Sequence, residues 1–148
     1  IDADAIYAIK NKLSQNFVVT PHAYEFYVLS EIKVGNNLKE RIEVVKNVAK
    51  EFECTILLKG HIDVISDGQR VAINKTGSEY MTKGGFGDVL TGILGAYLAR
   101  NVEPFKAACA AAYVNGILGE MLAKKLKESL IASDVLDKNL WIKLMKIL

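Results

Sequence analysis

The spacing of apolar residues changes several times along the chain, and each change marks an element. From Leu38 to Phe52, Ile42, Val45, Val48, Ala49 and Phe52 recur at helical spacing. Lys39, Glu40, Glu43, Lys46 and Lys50 fill the opposite side, so an amphipathic helix is predicted. Thr55-Ile56-Leu57-Leu58 is apolar without alternation, the pattern of a strand covered on both faces in a parallel sheet. Phe17-Val18-Val19-Thr20 is a second such run, stopped by Pro21. Ile62 to Ser66 and Arg70 to Asn74 flank Asp67-Gly68, a strong hairpin signal. Val89, Leu90, Ile93, Leu94, Tyr97 and Leu98 mark one wide helix face, and Pro104 to Leu126 forms an alanine-dense second helix. Shorter helical patterns are predicted over Asp4 to Lys12, with Ile6, Ile9 and Leu13 on one face, and over Glu25 to Leu29. Ser133, with Asp134 behind it, is expected to cap a last helix through Trp141 to Leu148.

Strands alternating with helices, then a hairpin and stacked helices, predict an α/β domain around a mainly parallel sheet. No internal repeat, linker or low-complexity stretch interrupts it. Ile1-Asp2-Ala3-Asp4-Ala5 reads as the tail of a strand entering a loop, with the strand itself missing. The expectation is therefore a single-domain fragment spanning residues 1–148, one half of something larger.

Composition narrows the classes. With 148 residues, 51% hydrophobic and 24% charged, the chain is globular and of ordinary domain size. Nineteen basic against 17 acidic residues give a net charge of +2, and the lysines are scattered, so neither nucleic acid nor a membrane surface is an expected partner. No apolar run approaches the roughly 18 to 20 residues that cross a bilayer. Cys54 and Cys109 lie far apart without companion ligands, which argues against a disulfide framework or a zinc site. A reducing, cytoplasmic setting is expected, with both cysteines as packing residues.

The candidate chemistry centres on Gly84-Gly85-Phe86-Gly87-Asp88-Val89-Leu90-Thr91-Gly92. Unpaired N–H groups at a helix start bind anions, and glycines let that backbone approach a phosphate closely. A carboxylate at such a site repels phosphate. It makes sense where it takes a proton from a hydroxyl beside the phosphate, which points to phosphoryl transfer onto an alcohol. The plainer reading is a glycine loop with an acidic helix start. Other segments belong to the same edge. His22 follows Pro21 at a strand end, where doubly wound sheets keep their ligands, or else it is structural. Lys59-Gly60-His61-Ile62-Asp63 follows the Thr55–Leu58 strand and either faces a nucleotide or forms a solvated turn. Asn74-Lys75-Thr76-Gly77-Ser78-Glu79-Tyr80-Met81 leads into the glycine loop and either lines a phosphate or holds the loop's shape. Asp2 and Asp4 sit at another strand end, as caps or, less naturally, beside Mg²⁺.

Asp2-Ala3-Asp4-Ala5, Thr20-Pro21-His22-x-x-Glu25-Phe26, Lys59-Gly60, Asn74-x-Thr76-Gly77, Met81-Thr82-x-Gly84-Gly85-x-Gly87-Asp88-Val89-Leu90-Thr91-Gly92 and Ala132-Ser133-Asp134 occur in that order. Together they resemble the ADP/ATP-dependent NAD(P)H-hydrate dehydratases, the carboxy-terminal ribokinase-like domain of the metabolite-repair enzymes. The resemblance runs over essentially the whole chain. It implies a ribokinase-like, doubly wound, mainly parallel sheet flanked by helices, of which this would be the carboxy-terminal half. It also implies a hydro-lyase that restores NADH or NADPH from its hydrate (NADHX or NADPHX) by nucleotide-driven phosphorylation of the ring hydroxyl and loss of phosphate. By position, Asp88 would be the catalytic base and lie against the substrate, with His22 as a second substrate contact. Gly85, Phe86 and Gly87 would form the anion hole. Lys59, Gly60, His61, Ile62, Asp63 and Gly87 would hold ADP or ATP, with Mg²⁺ on the phosphates. Family domains being about twice this long, the resemblance implies a missing amino-terminal half or a second chain as partner, the latter as in a homo-oligomer. Three positions depart from the family pattern. Phe86 stands where Thr or Ser is usual, and its ring is bulky enough to narrow the anion hole. Tyr24 stands where glycine is common, and Asn115-Gly116 where His-Gly is common. The alternatives are a ribokinase-like small-molecule kinase of the thiazole or pyridoxal type, sharing the glycine-loop aspartate, and a non-catalytic nucleotide-binding remnant.

Overall fold

The computed structural model describes residues 1–147. Its centre is a four-stranded sheet in the order β1 (Val18–Val19), β2 (Thr55–Leu58), β3 (Asp63–Ser66), β4 (Val71–Asn74). β1 and β2 are parallel, with Val18 opposite Thr55, whereas β2–β3 and β3–β4 are antiparallel. The described sheet is thus mixed rather than mainly parallel. The cause is local: the Lys59–Ile62 turn is too short for the crossover that a parallel return needs. Asp67-Gly68 then turns the chain again, with Gly68 at φ +87°. Beyond β1, the Ile1 nitrogen donates to Val18 O at 2.7 Å and Ile1 O accepts from Thr20 N at 3.1 Å. That is the hydrogen-bond pattern of parallel pairing, so Ile1 lies alongside β1.

Helices cover both faces: α1 (Ala23–Ser30), α2 (Leu38–Phe52), α3 (Phe86–Ala99), α4 (Pro104–Leu126) and α5 (Lys138–Leu144). On one face Val45, Val48 and Ala49 of α2 pack against Ile56, Leu58 and Val64. On the other, Leu90 and Leu94 of α3 and Ala107, Ala108 and Ala111 of α4 pack against Val18, Leu57 and Ile65. The two-sided cover is why all four β2 residues are buried. Cys54 lies in the first core, where burial pushes its thiol up to about 12, and Cys109 packs at the edge of the second. Both are free. None of the described helices is long and apolar enough to cross a membrane.

Asn37 starts α2 by accepting hydrogen bonds from Lys39 N at 3.0 Å and Glu40 N at 3.4 Å. Asn37→Ala is expected to cost about 1 kcal/mol, the usual worth of such a cap, and a chemical-denaturation curve measures it. Two helical expectations shift. Asp4 to Lys12 contains only a 3-10 turn over Ala3–Ala8. The last helix is capped not by Ser133 but by Asp137, whose carboxylate accepts from Asn139 N at 2.9 Å. Asp134 instead closes a preceding 3-10 turn by accepting from Ile131 N, and Leu148 lies outside the described residues.

Candidate active site

The carboxy-terminal ends of β1 and β2 are tied together where Lys59 N donates to Pro21 O at 2.8 Å. Both expected contact segments, Thr20 to His22 and Lys59 to Asp63, therefore sit at one sheet edge. His22 is the N-cap of α1. Its Nδ1 accepts from Tyr24 N and Glu25 N at 3.2 Å each, and Glu25 Oε2 accepts from His22 N at 2.7 Å. An accepting Nδ1 leaves the imidazole proton on Nε2, which lies 3.4 Å from Glu25 Oε1 on a side chain that is 53% exposed. His22 is thus a structural cap whose Nε2 edge remains exposed.

The glycine loop ends at Gly85, whose φ of +96° is a left-handed conformation. A Cβ there would lie 2.8 Å from Ala132 Cβ. Gly85 begins α3 without a side-chain cap, and within the described residues the N–H groups of Gly85, Phe86 and Gly87 meet no acceptor. Such donors at the start of a helix of this length suit an anion. Phe86 does not narrow the site. Its ring is buried among Val114, Leu118, Leu130 and Val135, because the first inward position of α3 faces that core. Asp88 is exposed on the same first turn, and within the described residues no hydrogen bond or ion pair engages its carboxylate.

Lys59 reaches this loop. Its Nζ lies 3.6 Å from the point a Cβ on Gly87 would occupy, 2.9 Å from Asp2 Oδ1 and 3.7 Å from Glu25 Oε2. Asp2 stands at the N-cap of the Ala3–Ala8 turn, but its side chain makes no capping bond there. Its Oδ1 also accepts from Thr20 Oγ1 at 2.7 Å, and its Oδ2 accepts from Thr91 Oγ1 at 2.9 Å. Burial pushes the Asp2 carboxyl upward, but the Lys59 and Thr20 hydrogen bonds, the Lys59 charge and the Thr91 hydroxyl outweigh it and hold the carboxyl below the usual range.

The rest of the Lys59–Asp63 turn is held in shape by its own hydrogen bonds. Asp63 Oδ1 accepts from Gly60 N and Oδ2 from Asn74 Nδ2, both at 3.0 Å, while burial raises its carboxyl despite these bonds and the nearby Arg41 and Lys59. His61 is exposed, and Ile62 O accepts from Arg41 Nη2 at 3.4 Å. Arg41 lies against the turn so closely that a Cβ on Gly60 would meet its Nη2 at 2.7 Å. Asn74 also donates to Ala112 O at 3.3 Å and accepts from Thr76 Oγ1 at 2.8 Å, pinning the next loop to α4. Asn115 is buried there, and its Oδ1 has no partner among the described residues. Tyr24 is exposed beside His22.

The sequence pattern assigns no role to Arg41, and none to Thr91 beyond its place in the motif. Arg41 is hidden in a charged helix face. Thr91 lies one helical turn beyond Asp88, a spacing that places it beneath the loop but does not reveal Asp2 as its acceptor. Gly87 offers a direct probe of the space between loop and lysine. A methyl group there makes only ordinary contact with Lys59 Nζ at 3.6 Å. If the phosphate of a nucleotide lies against this backbone, Gly87→Ala is expected to keep its melting temperature and weaken nucleotide binding at least about tenfold, because the anion loses that space. Calorimetric titration with ADP or ATP measures it.

Residues 1–140 match the NAD(P)H-hydrate dehydratase family model. The bifunctional NAD(P)H-hydrate repair enzyme Nnr of Pyrobaculum aerophilum is 46% identical over 139 residues, covering 93% of this chain and 28% of that protein. Among solved structures, the ADP/ATP-dependent NAD(P)H-hydrate dehydratase of Bacillus subtilis, co-crystallized with ATP/Mg²⁺, is similar at 30% identity and a TM-score of 0.79, over 96% of this chain and 54% of that one. A ribokinase-like superfamily protein from Enterococcus faecalis gives a TM-score of 0.83 at 25% identity, over 99% and 51%. The chain therefore spans about a quarter of the length of the Pyrobaculum relative and about half of each solved structure. The fold is ribokinase-like, as the sequence motifs imply.

Proposed function

The chain belongs to the NAD(P)H-hydrate dehydratase family, and from that premise we propose that it carries the phosphoryl-transfer half of a nucleotide-dependent NAD(P)H-hydrate dehydratase. The observation that carries the reading is the juxtaposition of an uncapped α3 start, the Lys59 ammonium beside Gly87, and the exposed, unengaged Asp88.

In this reading the terminal phosphoryl group of ADP or ATP lies against the N–H groups of Gly85, Phe86 and Gly87, with Lys59 supplying positive charge. Gly60, His61, Ile62 and Asp63 form the turn along which the nucleotide lies, and His22 presents its Nε2–H to the substrate. Asp88 takes the proton from the ring hydroxyl of NADHX or NADPHX as its oxygen attacks phosphorus. Phosphate then departs with the C–O bonding electrons, and loss of a proton from the adjacent ring carbon restores the double bond of NAD(P)H. The donors at the loop are N–H groups and an ammonium, which suit phosphate oxygens rather than a cation. Mg²⁺ would accordingly be carried by the nucleotide phosphates, where it neutralises developing charge.

The test is recovery of reduced-nicotinamide absorbance when the full-length protein is incubated with NADHX and Mg²⁺, with ADP and ATP in separate reactions. Recovery in at least one supports the reading and names the donor. No recovery in either, from folded protein, overturns it.

A further inference from the structure

We propose that Asp2 is a positioning residue for this site, holding the Lys59 ammonium against the glycine loop while anchoring the helix that carries Asp88. The inference rests on the phosphoryl-transfer reading above. Three elements converge on one carboxylate: the end of β1 through Thr20, the end of β2 through Lys59, and α3 through Thr91. The Asp2 side chain is only 11% exposed and that of Lys59 21%. A lysine at a strand end ordinarily extends into water, and fixing it costs side-chain entropy. Here a short charge-assisted bond at 2.9 Å offsets that cost. Glu25, the other nearby carboxylate, is 3.7 Å from Nζ and already accepts from His22 N. Asp2 is thus the closer restraint.

An ammonium has three donors. One is taken by Asp2, which leaves others for phosphate oxygens at the Gly87 side. Without the Asp2 charge, Glu25 is the remaining anchor, and Lys59 would turn toward α1 and away from the loop. Thr91 stands one turn beyond Asp88, so its bond to Asp2 fixes the rotation of the turn that presents the base.

A double-mutant cycle on the full-length protein tests this. Asp2→Asn, Lys59→Met and the double variant are titrated with ADP or ATP and Mg²⁺ by calorimetry and assayed for kcat with NADHX. Each single variant is expected to bind nucleotide about tenfold more weakly, the size of one charge-assisted hydrogen bond. The double variant is expected to be no worse than Lys59→Met, within about threefold. Additive losses, or an Asp2→Asn protein that binds and turns over as the wild type does, overturn the proposal. Should Asp2→Asn fail to fold, Thr91→Val carries the test. Its kcat is expected to fall several-fold with nucleotide affinity kept, and an unchanged kcat overturns the proposal. A wild type that shows no turnover, while the binding cycle comes out coupled, counts against the dehydratase reading and not against the role of Asp2 toward Lys59.

Discussion

Replacing Asp88 with Asn is expected to lower kcat by about three orders of magnitude, within the range attributed to a positioned general base, while the protein stays folded and still binds its nucleotide. The two effects separate because of where Asp88 lies. Its carboxylate is exposed and bonded to no described residue, so the isosteric amide removes no structural contact. In the proposed reading, what disappears is the ability to accept the hydroxyl proton. Nucleotide affinity is expected to hold or to tighten slightly, since a negative charge leaves the mouth of an anion site. Single-turnover kinetics with NADHX and calorimetry with the nucleotide measure the two separately. Near wild-type turnover in the variant would move the base elsewhere.

The second large effect is expected at Gly116. A Cβ there would lie 2.1 Å from Thr76 Oγ1 and 2.7 Å from the Thr76 backbone carbon and oxygen. The hydroxyl can rotate, but the backbone cannot yield without moving the loop that Asn74, Tyr113 and Glu120 hold to α4. Overpacking of this kind costs about 1 to 3 kcal/mol. Gly116→Ala is therefore expected to melt several degrees lower. Turnover should fall as well, because Asn74 also holds Asp63 and through it the N–H of Gly60. Gly95→Ala is the matched control. It is a helix-interior glycine with nothing within 4 Å of its would-be Cβ, so it is expected to melt at or above the wild-type temperature. A thermal melt of both variants decides, and equal melting temperatures would mean that the Thr76 loop does not bear on α4 as described.

The elements that periodicity can define were legible. α2, β2 and α4 begin and end where the hydrophobic pattern does, because each buries one face, or both, against the same core. The β3–β4 hairpin was legible from Asp67-Gly68. What was not legible depends on partners distant in sequence. Gly60 signals that β2 stops, yet only the paired register shows that the chain doubles back at once. Phe86 reads as an obstruction until the core formed by Leu118, Leu130 and Val135 is seen to take its ring. Ser133 reads as a cap until Ala132–Leu136 is seen to form a separate 3-10 turn, after which Asp137 accepts from Asn139 N. Asp2 looks like a loop cap because its real partners, Lys59 and Thr91, lie 57 and 89 positions away. The glycine loop and its aspartate, by contrast, are contiguous, and so that motif was readable before its supports were.

The most direct test is a stoichiometry. The full-length protein is given one limiting portion of NADHX with excess nucleotide and Mg²⁺, and inorganic phosphate and NADH are counted in the same reaction. Phosphorylation of the hydroxyl followed by elimination is expected to yield equal amounts of the two, with no phosphorylated hydrate left at completion. A stable phosphoester without NADH, or NADH formed with no nucleotide consumed, would contradict the account.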